Sequence, residues 1–130
     1  VEEGISIDEA AAWPQRGVLL DARAPERYRG ESEPFDPVAG HIPGAVNLPA
    51  DAVLDGASFA PPATIRAAFE SVGVSDLTSV AAYCGSGLTA AHTALAGAAA
   101  GLDVAVYPGS WSQWSNTAGR PVATGAEPGA

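Results

Sequence analysis

Val80-Ala81-Ala82-Tyr83-Cys84-Gly85-Ser86-Gly87-Leu88-Thr89-Ala90 is the stretch that decides the fold. Its first four residues form a continuous apolar run closed at once by a glycine-rich turn, the pattern of a strand buried on both faces. Strong helix formers follow over residues 90–100, Gly101 supplies the stop, and residues 104–107 read as a further strand. Strand, cysteine-bearing loop, helix and strand in that order make a βαβ unit and therefore a parallel sheet.

The pattern continues outward. Pro61-Pro62 opens an amphipathic helix whose Ile65, Ala68, Phe69 and Val72 recur at helical spacing, with Gly73 as its stop. Val18-Leu19-Leu20-Asp21 reads as another buried strand, and residues 45–48, entered through His41-Ile42-Pro43-Gly44 and closed by Pro49, as a short one. Between them runs a long acidic, proline-bearing segment from Arg23 to Gly40 with one helical turn near Pro25; loops this long in compact domains are usually functional or mobile. Ser6 and Glu9 form a capping box for a lead-in helix within residues 1–15 that Pro14 ends. The Gly-, Pro- and Ala-rich tail over 119–130 is expected to run over the surface with frayed ends. These elements predict a three-layer α/β fold over residues 1–130, one domain with a central parallel sheet and helices on both faces.

Composition excludes several function classes. The 130 residues include 47% hydrophobic residues, enough for one core without staples, and no apolar run long enough for a membrane span. One Cys and two His are too few for a zinc site, so neither a disulfide nor a metal is expected. Six Arg, no Lys and a net charge of −9 leave no basic stripe for nucleic acid and no polybasic membrane anchor. Residues 1–55 carry eleven acids against four Arg, and an anionic ligand needs local arginines to overcome that field. No signal peptide is visible in Val1-Glu2-Glu3-Gly4, and with a single Cys a cytoplasmic location is expected.

Chemistry concentrates at Cys84. Ligands of parallel α/β sheets gather beyond the carboxyl ends of the strands, where helix N-termini present unsatisfied N–H groups. Gly85 and Gly87 let the backbone bend so that several N–H groups face the sulfur, and a thiolate in such a position is stabilised. The residues alone leave Cys84 either a reactive thiol or a small buried hydrophobe. Phosphate-ester chemistry needs a guanidinium at the far end of the loop, and the sixth residue after the cysteine is Ala90, so a phosphatase is disfavoured. Attack on a sulfane sulfur, leaving a persulfide cradled by N–H donors, suits the loop and needs no metal or cofactor. Thr89 either lends its hydroxyl to that chemistry or simply caps the following helix. His92, about two helical turns along from Cys84, is too far to serve as its base.

Leu20-Asp21-Ala22-Arg23, Arg27-Tyr28-Arg29-Gly30, Gly40-His41-Ile42-Pro43-Gly44-Ala45-Val46-Asn47, Cys84-Gly85-Ser86-Gly87-Leu88-Thr89-Ala90 and Tyr107-Pro108-Gly109-Ser110-Trp111-Ser112-Gln113-Trp114 together resemble the rhodanese superfamily over about residues 18–115. The Cys-Gly-Ser-Gly-x-Thr loop is similar to that of 3-mercaptopyruvate sulfurtransferases, in the C-terminal catalytic domain of two-domain enzymes. The resemblance implies that Cys84 is the nucleophile and sulfur carrier. It also implies that Gly85, Ser86, Gly87, Leu88 and Thr89 cradle the persulfide and that Arg27 anchors a small anionic donor. The acceptor would be cyanide or a thiol such as thioredoxin or glutathione. Thiosulfate-preferring relatives carry a basic loop where Gly85 and Ser86 stand, which favours 3-mercaptopyruvate over thiosulfate here. Asp36, however, occupies the place of a second substrate arginine. Arg27 has an alternative as a surface partner of Glu26 or Glu31. His41 is expected to fix a turn, Asp21 to orient backbone or Arg23, and Trp111 and Trp114 to pack. An N-terminal rhodanese-like domain is expected to precede this chain. A non-catalytic rhodanese-like binding or redox-sensing module is the other class of function.

Overall fold

The computed structural model describes residues 4–55, 58–85 and 88–129, apart from the side chain of Leu88. Four strands form its main sheet: β1 (Val18–Asp21), β2 (Val46–Asn47), β5 (Val80–Tyr83) and β6 (Val104–Val106), in the order β2-β1-β5-β6, all parallel. Two further strands, β3 (Leu54–Asp55) and β4 (Ser58–Phe59), pair antiparallel as a separate ribbon. The helices are α1 (Ile7–Ala12), α2 (Pro25–Arg29), α3 (Pro62–Glu70), α4 (Leu88–Ala99) and α5 (Ser110–Ser115).

Strand alternation builds the layers. Leu20, Val80 and Ala82 face one core with Ile65 and Phe69 of α3 and Ala96 of α4. Their neighbours Leu19, Ala81 and Tyr83 face a second core with Ala10 of α1, Trp13, Trp111 and Trp114. Successive side chains of a strand point to opposite faces, so the apolar runs in β1 and β5 serve both layers. The three-layer α/β architecture expected from the sequence is present.

Element boundaries shift modestly. The strand expected over 45–48 is β2, two residues long, because Gly44 at φ +90° turns the chain just before it and Pro49 ends it. The helix expected from residue 90 begins at Leu88. Ser6 and Glu9 form the capping box, with Glu9 N–H on Ser6 Oγ at 3.1 Å and Ser6 N–H on Glu9 Oε1 at 2.8 Å. The tail departs from the loose ending that its composition suggests. Ala123 exchanges backbone hydrogen bonds with His41 at 2.8 and 2.9 Å, Gly125 N–H reaches Arg29 O, and Pro128 O accepts from Gly44 N–H.

Candidate active site

The sheet reverses its winding between β1 and β5. From β1 the chain goes out to β2 on one side, whereas β5 leads to β6 on the other. Asp21 and Tyr83 are register partners at the ends of these adjacent strands, so the loops beginning at Ala22 and Cys84 diverge side by side. Such a switch point leaves a crevice beyond the strand ends.

Cys84 lies in that crevice, buried, with its Sγ accepting the N–H of Ala90 at 3.3 Å. That donor belongs to the first turn of α4, so the sulfur meets the positive end of a helix. The opposite side of the cysteine backbone is held by the start of α5. Trp111 N–H and Ser112 N–H donate to the carbonyls of Cys84 and Gly85 at 2.9 Å each. Cys84 N–H donates to Ser110 Oγ at 3.1 Å, and the same hydroxyl donates to Tyr107 O at 2.9 Å. Because a trans peptide aims C=O and N–H in opposite directions, pinning Cys84 O against α5 turns the N–H of Gly85 away from it. Ser110 adopts φ +54° to make these contacts, the only non-glycine residue with positive φ among the described residues.

Arg27, on α2, forms the facing wall. Its Nη1 and Nη2 lie 3.3 Å from where a Cβ would stand on Gly85, so the absent side chain leaves room for the guanidinium. Arg27 pairs neither with Glu26 nor with Glu31: Nη2 meets Glu33 Oε2 at 3.0 Å and Asp36 Oδ2 at 3.6 Å, while Glu31 pairs with Arg29. The exposed Phe35 ring lies 5.3 Å from its Cζ. Glu33 also reaches Arg23 Nη1 at 3.3 Å, and Arg23 Nη2 is held by Asp21 at 2.6 Å and by Gly40 O at 2.6 Å. Asp21 therefore orients Arg23, as its place at a strand end suggests. The Asp36 carboxyl is pushed up by burial and by neighbouring Glu33, against the opposing pull of Arg27 and Arg23 and a hydrogen bond with Ser112.

The crevice has two lobes sharing Cys84, Gly85, Thr89 and Arg27. One, of about 350 Å³, is completed by residues including Pro25, Pro49 and Asp51. The other, of about 420 Å³, is completed by Phe35, Asp36 and Ser112. Thr89 sits inside the first turn of α4 and lines both lobes, which removes it from the capping position outside the helix. Ser86, Gly87 and the side chain of Leu88 lie outside the described residues. His92 is exposed on α4. His41 is buried, stacked on Tyr28 at 3.8 Å, with Nδ1 at 2.7 Å from Tyr28 O and Nε2 at 2.9 Å from Pro128 O, a turn-fixing role. Trp111 and Trp114 are core residues, as expected. Glu33, Phe35, Ser110 and Ser112 escaped the sequence reading; only the unusual length and acidity of the segment from Arg23 to Gly40 pointed toward the first two.

Fold and site define an α/β domain bearing a cysteine on a strand-to-helix loop at the switch point of its sheet. The chain belongs to the rhodanese-like domain family, whose model matches residues 6–117. It is 48% identical over 108 residues to the Mycobacterium tuberculosis protein named "Putative thiosulfate sulfurtransferase SseB", covering 82% of this chain and 38% of that protein. It is 43% identical to the Pseudomonas aeruginosa "Probable 3-mercaptopyruvate sulfurtransferase", covering 95% of this chain and 46% of the other. The chain thus spans less than half the length of these relatives. Among solved structures, an anaerobic ergothioneine biosynthesis enzyme from Chlorobium limicola superposes with a TM-score of 0.85 at 26% identity, over 94% of this chain and 32% of that one.

Proposed function

We propose that this domain is a sulfurtransferase in which Cys84 carries a sulfane sulfur as a persulfide between a small anionic donor and a thiol or cyanide acceptor. The observation that carries the reading is the placement of Cys84 Sγ against the N–H of Ala90 with Arg27 across Gly85. Relatives named for thiosulfate and for 3-mercaptopyruvate sulfur transfer support the same chemistry.

With 3-mercaptopyruvate, the Cys84 thiolate attacks the donor sulfur, the Sγ–S bond forms and the C–S bond breaks. The electron pair leaves with the carbon as pyruvate enolate, which takes up a proton. An acceptor thiolate, such as that of glutathione or thioredoxin, then attacks the outer sulfur, and the electron pair of the Sγ–S bond returns to Cys84. In this reading the backbone of Gly85, Ser86, Gly87, Leu88 and Thr89 cradles the persulfide, Thr89 and Ser86 add hydroxyls, and Arg27 holds the donor's carboxylate. Of the two donors, singly charged mercaptopyruvate suits the cleft better than doubly charged thiosulfate, because Glu33 and Asp36 already surround Arg27. An N-terminal rhodanese-like domain completing the open side of the crevice is part of the proposal, supported by the greater length of the relatives.

Intact mass after anaerobic exposure to each donor tests the reading. One added sulfur on the wild-type chain, absent from Cys84→Ser, is expected; no addition, or equal addition to both, refutes it.

A further inference from the structure

The charged groups around Arg27 make an unusual receptor for an anion. Asp21, Arg23, Arg27, Glu33 and Asp36 form one connected cluster of two arginines and three carboxylates. Asp21 and Arg23 are matched to each other at 2.6 Å, both buried, so Arg27 faces the cleft between two carboxylates. Glu33 has both arginines in direct contact, at 3.3 and 3.0 Å, whereas among the described residues Asp36 meets the shared Nη2 of Arg27 at 3.6 Å and the hydroxyl of Ser112, with Arg23 acting on it from farther away. Asp36 is therefore the under-compensated charge of the group. Arg27 Nε is buried with no hydrogen-bond partner among the described residues, so a ligand in the cleft meets the terminal nitrogens Nη1 and Nη2, which face Gly85.

A donor carrying only negative charge gains at Arg27 and loses at Asp36. A donor carrying a carboxylate and an ammonium on one carbon gains at both, since its charges are two bonds of about 1.5 Å apart and the facing pair is 3.6 Å apart. Reach points to a short molecule, because the Arg27 guanidinium touches the Cβ position of Gly85, the residue after Cys84. Resting on the sulfur-transfer reading and narrowing its donor, we propose that the lobe lined by Arg27, Asp36 and Ser112 selects a sulfane-sulfur donor with an α-amino-acid headgroup. Its carboxylate sits on Arg27 and its ammonium on Asp36.

The simplest such donor is the hydropersulfide of cysteine. The Cys84 thiolate attacks its outer sulfur, the Sγ–S bond forms and the donor S–S bond breaks. The electron pair departs on the inner sulfur as cysteine thiolate, and the transferred sulfur keeps its proton. No further oxidant or reductant is needed.

The test compares anaerobic persulfidation rates of Cys84, read by intact mass, with cysteine hydropersulfide and with the hydropersulfide of 3-mercaptopropionate, which lacks only the ammonium. Each rate is divided by that donor's rate with a small-molecule thiol, which removes intrinsic reactivity. The wild-type chain is expected to favour the ammonium-bearing donor by about tenfold or more, the scale of one charge-assisted hydrogen bond, and Asp36→Asn to lose most of that preference. Equal normalised rates in the wild type, or a preference that survives in Asp36→Asn, overturn the assignment of Asp36 alone. Loading by 3-mercaptopyruvate but by neither hydropersulfide overturns this inference alone; loading by none of the three overturns sulfur transfer itself, and this inference with it.

Discussion

Ser110 offers the sharpest test of how the cysteine loop is held. Its buried hydroxyl joins two otherwise separate pieces of backbone, accepting from Cys84 N–H at 3.1 Å and donating to Tyr107 O at 2.9 Å. Ser110→Ala leaves both buried groups without that partner, and a buried polar group left unpaired costs about 1–3 kcal/mol. The two losses share one hydroxyl and relax together, so the expected destabilisation is about 2–4 kcal/mol. For a chain of this size each kcal/mol moves Tm by roughly 3–5 °C, which places the drop near 10 °C. Ser110→Gly separates the hydroxyl from the backbone. It loses the same hydrogen bonds but is relieved of the left-handed φ of +54°, a conformation costing an L-residue about 1–2 kcal/mol, partly offset by the ~0.5–1 kcal/mol entropy cost of ordering glycine. Ser110→Gly should therefore be the less destabilised of the two. Both should load sulfur from 3-mercaptopyruvate about tenfold more slowly at a temperature where both are folded, because the Cys84 peptide is no longer fixed. Thermal unfolding followed by circular dichroism, with intact-mass loading at 20 °C, provides the measurements. An unchanged Tm and loading rate in Ser110→Ala would refute the argument that α5 positions the cysteine.

Other perturbations probe the remaining parts. Gly85→Ala places a Cβ 3.3 Å from both terminal nitrogens of Arg27, and the guanidinium must move within its Glu33 and Asp36 contacts; donor KM is expected to rise several-fold with little change in Tm. His41→Ala removes the contacts with Tyr28 O and Pro128 O together with the Tyr28 stack, costing about 2–4 kcal/mol and exposing residues 121–128 to limited proteolysis, read by mass of the fragments. Asp36 gives a pH signature. Its folded-state pKa lies above the ordinary 3.8, so the contribution is favourable below that value and is lost as pH rises through the folded one. Asp36→Asn should consequently gain Tm relative to wild type as pH climbs from the acid range and hold that advantage at neutrality; a difference that does not vary with pH would contradict the buried, Glu33-facing environment.

How much of this was legible in the sequence depends on the range of each interaction. β1 and β5 were plain because the apolar runs 18–20 and 80–83 supply both cores at once, and the helices were plain because their apolar spacing is local. The tail runs over the surface, but its anchors were not visible in its glycines and prolines: they are backbone bonds from Ala123 to His41 and from Gly44 to Pro128, which leave no side-chain period. Cys84 stood out because strand, glycine turn and helix are consecutive. Ser110 did not, since its work is a bond to a residue 26 positions away and a backbone angle that serine rarely adopts. Asp36, nine residues beyond Arg27, was placed beside the donor by the family resemblance, but Glu33, six residues beyond Arg27 in the same aperiodic loop, was visible only as acidity, without a direction.

That acidity bears directly on selectivity. The net charge of −9 suggested only a general field against anions, but three of the acids concentrate on Arg23 and Arg27, which line the crevice with Cys84. A field spread over a surface is screened within a Debye length of about 8 Å at physiological salt; partly buried carboxylates 3.0–3.6 Å from a guanidinium are screened much less. Choice among donors should therefore persist at high ionic strength, and it should follow residues 33–36 rather than the uncharged turn after Cys84. Measuring the loading ratio of two donors of different charge at low salt and at 0.5 M salt separates the cases, because a surface field would let the ratio collapse toward one whereas the partly buried, directly contacting cluster largely keeps it.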